Sequence, residues 1–115
     1  MSEFALIYRG EDRPLSPEES QRLMANIRAW FDGLKEKGHI KDAGYPLDSA
    51  GGVVVGEDRT IFDGPYAEAK DVIGGFTLVE AKDLAEAFEI AKTCPILDVG
   101  KSVEVRPTRA FSHTE

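Results

Sequence analysis

The sequence of 115 residues predicts an α+β fold in which two helices cover one face of an antiparallel sheet. Two segments carry apolar residues at helical spacing, and each begins with a helix-capping signal. The other apolar segments are short, alternating or rich in β-branched residues, and glycine, proline or acidic turns bound them. A chain of this length forms one domain. We expect residues 1–110 to form that domain and residues 111–115 to be a tail.

The first strand is predicted at Phe4–Tyr8 (FALIY), and the first helix from about residue 17 to residue 37. Ser16 suits the N-cap, a proline occupies the first helical position, and Glu19 completes a capping box. Gly38 is suited to close the helix in a left-handed conformation. The apolar stripe at helical spacing consists of Leu23, Ile27, Trp30, Phe31 and Leu34.

The middle of the chain predicts a β-hairpin between two further strands. His39–Leu47 is at best a short irregular strand, because it contains glycine and proline. Val53–Val55 and Thr60–Phe62 are joined by an acidic turn, which is typical of a hairpin. Val72–Glu80 is the next strand, and its Gly74-Gly75 pair predicts a bulge or the close approach of another backbone segment.

The second helix is predicted over about residues 84–93. Asp83 caps it, and Cys94-Pro95 ends it. Ser102–Arg106 is an alternating last strand. The resulting order is the ferredoxin-like βαββαβ plan with an extra β-hairpin inserted in the middle. Right-handed crossovers place both helices on one face of the sheet.

The opposite face of the sheet is predicted to be apolar as well. Both alternating sets of residues in Phe4–Tyr8 are apolar, and in Phe76–Val79 only Thr77 is polar. An apolar face without helices needs another cover. We therefore expect a homodimer that uses this face, or a ligand cavity between two such sheets.

Composition and charge exclude several classes of function. A net charge of −7 argues against direct nucleic-acid binding. No apolar run approaches the ~20 residues of a membrane span, and the start does not resemble a signal peptide. The single cysteine, Cys94, is expected to be a small buried residue in a reducing, cytoplasmic compartment. Neither a metal site nor a phosphate-binding glycine loop is indicated, so no cofactor is expected.

The segment Asp63-Gly64-Pro65-Tyr66 resembles the signature of the DGPF proteins, which belong to the YCII-related family. The resemblance extends over nearly the whole chain, through the motifs FALIY, SPEE, DGPYAEAK, GGF, LAEA, CP and SVEVRP. It implies a ferredoxin-like fold of the dimeric α/β-barrel type. It implies less about activity, because the family is largely without an assigned reaction. One related branch is a dehydrochlorinase.

The resemblance also implies a catalytic His–Asp pair, with the histidine on the first helix. Residues 17–37 contain no histidine, and the two histidines of the chain are His39 and His113. A His–carboxylate pair for acid/base chemistry must therefore combine His39 with Asp63. Each residue also has a structural interpretation. His39 follows a helix C-terminus, where a cation is favourable, and Asp63 before Gly-Pro is suited to cap a turn.

The rest of the motif supplies candidate substrate-binding residues. Gly64 permits a turn and Pro65 stiffens it. Tyr66 is expected to pack at a pocket wall. Glu68 and Lys70 share one face of an extended segment, where they either line the pocket or form a solvated ion pair.

Arg106 is a further candidate substrate-binding residue. It alternates with Val103 and Val105 on the last strand, so it shares the opposite face with Glu104. If the valines pack under the helices, Arg106 faces the helix-free side. There it either binds a ligand carboxylate or forms an ion pair across a dimer.

Three functions remain open from the sequence. The first is a small-molecule-binding dimer, either a binder or a lyase- or dehydrochlorinase-like enzyme that uses acid/base chemistry. The second, implied by the resemblance, is a non-catalytic regulatory module associated with extracytoplasmic-function sigma factors. The third is a structural dimer. A cavity that unites His39, Asp63 and Arg106 would favour the first.

Overall fold

The computed structural model describes residues 1–11, 13–64 and 71–109. Within these ranges it contains six strands, two α-helices and one 3₁₀ helix, and it confirms the α+β fold and its order of elements. The elements are β1 (Ser2–Arg9), α1 (Pro17–Glu36), β2 (Ile40–Asp42), β3 (Gly52–Val55), β4 (Thr60–Asp63), β5 (Ile73–Ala81), α2 (Leu84–Lys92), the 3₁₀ helix (Pro95–Val99) and β6 (Ser102–Pro107).

The strands form two separate sheets. The main sheet has the order β2-β5-β1-β6, and all of its neighbouring strands are antiparallel. This is the ferredoxin-like order, with β5 and β6 as the third and fourth strands of the plan. The hairpin β3–β4 is a two-stranded sheet of its own, as the predicted insertion requires.

The two helices begin at the predicted capping residues. The Glu19 amide donates to Ser16 Oγ at 3.1 Å, and the Ser16 amide donates to Glu19 Oε1 at 3.1 Å, which completes the capping box. In α2 the Glu86 amide donates to Asp83 Oδ1 at 2.9 Å. Each helix ends one residue earlier than predicted. After α1, Gly38 takes a left-handed conformation with φ of 77°.

The hydrophobic core lies between the main sheet and the helices. Leu6 and Val79 are fully buried there, at 0% exposure. Val103 and Val105 of β6 pack against the same core. The core cluster consists of Phe4, Leu6, Leu34, Val79, Ala81, Ala87, Ile90 and Ala91. Because strand residues alternate between faces, Ile7 faces the helix-free side.

The glycine pair of β5 forms a bulge and also makes a close backbone approach. Tyr8 pairs with Gly75 whereas Arg9 pairs with Ile73, so Gly74 is the extra residue. A Cβ atom at Gly75 would lie 3.0 Å from the carbonyl oxygen of Tyr45. Within the described ranges, no helix is both long and apolar enough to cross a membrane.

Candidate functional site

The helix-free face of the main sheet carries a central apolar strip. Ala5 lies opposite Leu78 and Ile7 lies opposite Phe76, and all four residues alternate with core residues. We call these four residues the apolar strip. The Phe76 side chain is 42% exposed, and both α-helices pack on the other side of the sheet. The strip is a flat surface that a planar ring or a second sheet can cover.

A charged cluster of Arg9, Glu104 and Arg106 adjoins this strip. Arg9 Nε donates to Glu104 Oε1 at 2.7 Å, and Arg106 Nη1 donates to Glu104 Oε2 at 3.2 Å. The hydrogen bond from Arg9, followed by the one from Arg106, holds the pKa of Glu104 below its usual range. Two guanidinium groups against one carboxylate leave one net positive charge in the cluster.

Arg9 also contacts Asp71, the residue that follows the motif segment (residues 63–70). Its Nη1 donates to the carbonyl oxygen of Asp71 at 2.8 Å. The neighbouring Gly10 amide donates to the Val72 carbonyl at 3.0 Å. The residue that directly follows the motif segment is therefore held beside the cluster.

Arg9 was not among the candidates from the sequence, although a signal for it exists. It follows Ala5 and Ile7 at intervals of two residues, so it shares their face of β1. The ferredoxin-like order then makes β6 the neighbour of β1, which brings Arg9 next to Glu104. Alternation along β6 gives the face of Glu104, but only the pairing of β1 with β6 shows that Arg9 lies beside it.

Because Val103 and Val105 pack against the core, Arg106 faces the helix-free side, and its side chain is 67% exposed. Most of its donors therefore face solvent, although Nη1 pairs with Glu104 on the same strand. A planar guanidinium with free donors can bind a carboxylate or phenolate oxygen, and it can also pair with a residue of a second copy. Both interpretations of Arg106 remain consistent with its position.

His39 is held in a defined orientation between α1 and β5. Its amide donates to the Leu34 carbonyl at 2.9 Å, and its Nδ1 lies 2.8 Å from the Glu80 carbonyl oxygen. A carbonyl oxygen only accepts, so Nδ1 carries the proton in this contact. In the neutral ring, Nε2 is then left as the basic nitrogen. His39 precedes β2 at one edge of the sheet and Arg106 lies on β6 at the other, roughly 14 Å away at three strand spacings.

Asp63 is exposed at the end of β4, opposite Gly52. The next residue, Gly64, has a φ of 84°, and its amide donates to the Gly51 carbonyl at 2.9 Å, so the chain turns here as expected. Among the described residues, no hydrogen bond or ion pair joins Asp63 to His39 or to Arg106. One copy of the chain therefore does not link these three side chains. The remaining motif candidates, Pro65, Tyr66, Glu68 and Lys70, lie outside the described residues.

The helix side of the sheet contains a small buried polar network. The Tyr8 hydroxyl lies 2.5 Å from Thr77 Oγ1, which donates to the Ala43 carbonyl at 2.9 Å. Burial raises the pKa of Tyr8 to about 12 and the pKa of Cys94 to about 11. Both groups are therefore protonated near neutral pH, and Cys94 is the small buried residue that the sequence predicts.

Two shallow grooves lie away from the helix-free face. A polar groove of about 180 Å³ runs between α1 and the 3₁₀ helix, lined by Glu19, Arg22 and Asp98 among others. An apolar groove of about 220 Å³ lies between α2 and β6, lined by Phe88 and Val105 among others. In the part of the chain that the structure describes, no three acidic, histidine or cysteine side chains are grouped as metal ligands.

Two comparisons relate the chain to known proteins. A family model described as the YCII-related domain matches residues 3–112. The fold is also similar to the structure of 5-chloro-2-hydroxyhydroquinone dehydrochlorinase (TftG) from Burkholderia phenoliruptrix AC1100, in complex with 2,5-dihydroxybenzoquinone. The TM-score is 0.58 and the sequence identity 25%, over 96% of this chain and 97% of that chain. No curated protein matches the chain significantly.

Proposed function

Because this chain belongs to the YCII-related domain family, we propose that it is a small-molecule-binding homodimer with dehydrochlorinase-like lyase activity. The ligand that we propose is a small, planar, hydroxylated ring that carries negative charge. The observation that carries this proposal is the likeness to the dehydrochlorinase TftG along almost the full length of both chains.

The helix-free face supports this choice of ligand. The charged cluster has a net positive charge, and Arg106 offers free donors for a phenolate or carboxylate oxygen. The adjoining Phe76 and Ile7 provide an apolar surface against which a flat ring can pack. A ring that lies on Phe76 with an oxygen at Arg106 would satisfy both features.

The reaction that we propose is the loss of HCl from a chlorinated hydroxylated ring. A base takes a hydroxyl proton while an acid adds a proton to the chlorine-bearing carbon, which gives the ketone form of the ring. Loss of a proton from a second hydroxyl then breaks the carbon–chlorine bond, and chloride leaves with the bonding electron pair to give a hydroxyquinone. We assign the acid/base roles to Asp63 and to His39, through Nε2. Within one copy His39 lies roughly 14 Å from Arg106, so a ring at Arg106 would be served by His39 of the partner subunit. His39 is suited to this role because its Nδ1 is fixed by the Glu80 carbonyl.

The motif segment is proposed to form one wall of the site. This placement is supported by Asp71, the residue after the segment, whose carbonyl oxygen accepts a hydrogen bond from Arg9 of the charged cluster. We propose that Gly64 and Pro65 stiffen the start of the segment and that Tyr66, Glu68 and Lys70 contact the ligand. Neither comparison supports the sigma-factor alternative, because the similar structure, TftG, is that of an enzyme.

The binding part of the proposal is tested by calorimetric titration with 2,5-dihydroxybenzoquinone. The wild type should bind saturably, and Arg106→Gln should weaken binding roughly 10- to 100-fold, the range for one charge-assisted hydrogen bond. Lys92→Gln is the matched control, because Lys92 is an equally exposed cation on the helix side and pairs only with Glu89 among described residues. Absence of saturable binding, or the same loss in both variants, would refute the proposed site.

The catalytic part is tested by chloride release from 5-chloro-2-hydroxyhydroquinone. Asp63→Asn should abolish chloride release while the melting temperature stays unchanged, since Asn makes the same side-chain turn. Full activity in Asp63→Asn would instead assign Asp63 to the turn alone.

A further inference from the structure

The hairpin β3–β4, Gly52–Asp63, carries apolar side chains that nothing in the described chain covers. Neither strand pairs with the main sheet. Val54 is 64% exposed, Ile61 73% and Phe62 56%. An isolated two-stranded hairpin is at best marginally stable in water, so this hairpin requires a surface to pack against.

The register of the hairpin places Asp63 on the same side as two of these residues. Val54 lies directly opposite Ile61, and Gly52 lies opposite Asp63. Directly opposed residues share a face, and so do residues two apart on one strand. Val54, Ile61 and Asp63 therefore form one face of the hairpin, which we call the arm face.

The helix-free face of the main sheet is the surface against which we place the arm face. Four strands at about 4.8 Å spacing and about six residues of length give roughly 400 Å² of flat surface. Each partner in a stable complex typically contributes about 800 Å². The sheet face alone is therefore too small for a stable dimer interface, and the arm face supplies additional apolar area.

The two surfaces also match in charge. The cluster of Arg9, Glu104 and Arg106 carries one net positive charge beside the apolar strip. The arm face presents Val54 and Ile61 beside one carboxylate, Asp63. Apolar residues can thus meet apolar residues while Asp63 meets the unmatched positive charge.

From these features we infer that the site is shared between two copies of the chain. The arm face of one copy lies across the helix-free face of the other and brings Asp63 to the partner's Arg106. This inference rests on the homodimer of the proposed function and adds the residue that the second copy contributes. It accounts for the lack of any bond between Asp63 and Arg106 within one copy.

The arm contact is tested without any ligand, by sedimentation equilibrium. The double variant Val54→Ser/Ile61→Ser should weaken dimerisation at least 10-fold with unchanged circular dichroism. Leu84→Ser/Phe88→Ser is the matched control, because it removes two exposed apolar side chains from α2, and its dimerisation should be unchanged. Equal dimerisation of the arm variant and the wild type would overturn the inference, and a monomeric wild type would overturn the homodimer as well.

The shared site is tested by mixing Asp63→Asn and Arg106→Gln chains after subunit exchange. If each site combines Asp63 of one copy with Arg106 of the other, an equal mixture regains about one quarter of the wild-type chloride release from 5-chloro-2-hydroxyhydroquinone at low substrate concentration, because each mixed dimer has one intact site. No recovery would place both residues in one copy and overturn the inference. If the wild type does not bind 2,5-dihydroxybenzoquinone, the proposed function fails, and sedimentation alone decides the arm contact.

Discussion

Replacing Ile7 by Asp should separate the proposed dimer without unfolding the chain. Ile7 is half-buried on the helix-free face, opposite Phe76 of β5 and Glu104 of β6. In a dimer, each copy would bury one unpaired carboxylate at about 3 to 5 kcal/mol. The sum of roughly 6 to 10 kcal/mol per dimer weakens association by a factor of at least about 10⁴.

Leu6→Asp is the comparison for Ile7→Asp, because the adjacent Leu6 is fully buried in the core. This variant should lose the fold itself, since its charge has no route to solvent. Sedimentation velocity at micromolar concentration and circular dichroism distinguish the two outcomes. The reasoning is refuted if Ile7→Asp stays dimeric, and also if it unfolds as Leu6→Asp does.

Three further predictions concern stability. Because Arg9 lowers the pKa of Glu104, this contact should stabilise the fold above pH 4.5, and the stabilisation should be lost as the pH falls further. In urea titrations over that acid range, Glu104→Gln should lose less free energy of unfolding than the wild type. An unfolded chain releases the Tyr8 proton near pH 10, but the folded chain releases it only near pH 12. The free energy of unfolding should therefore fall by roughly 2 kcal/mol between pH 10 and pH 12. Tyr8→Phe should remove this loss, whereas the loss of stability from the raised pKa of Cys94 should remain. Gly44→Ala should lower the melting temperature by at least about 4 °C, because φ is 71° and the new Cβ would lie 1.8 Å from a backbone carbonyl oxygen; an unchanged melting temperature would contradict this.

The helices could be predicted from the sequence because their signals are local. The Ser16–Glu19 capping box spans four residues and begins α1 where predicted. The sequence could not show which side chains of β1 face the core, because both alternating sets within Phe4–Tyr8 are apolar. Only the packing of α1 and α2 decides that Leu6 is a core residue and Ile7 is not.

The candidate site was harder to predict because its contacts are distant in sequence. Arg9 and Glu104 are 95 residues apart, and their contact depends on the pairing of β1 with β6. The face of Arg106 was predictable, since alternation along one strand is a local property. The surface that we propose for the hairpin does not follow from its sequence, because its residues indicate a strand pair but not the partner of that pair.

The most direct test of the proposed site is a crystal structure of the protein with 2,5-dihydroxybenzoquinone bound. The ring should lie on the helix-free face, packed on Phe76, with one oxygen at Arg106 and Asp63 of the partner subunit nearby. A ring bound instead in the groove between α1 and the 3₁₀ helix, beside Glu19 and Arg22, would contradict the account.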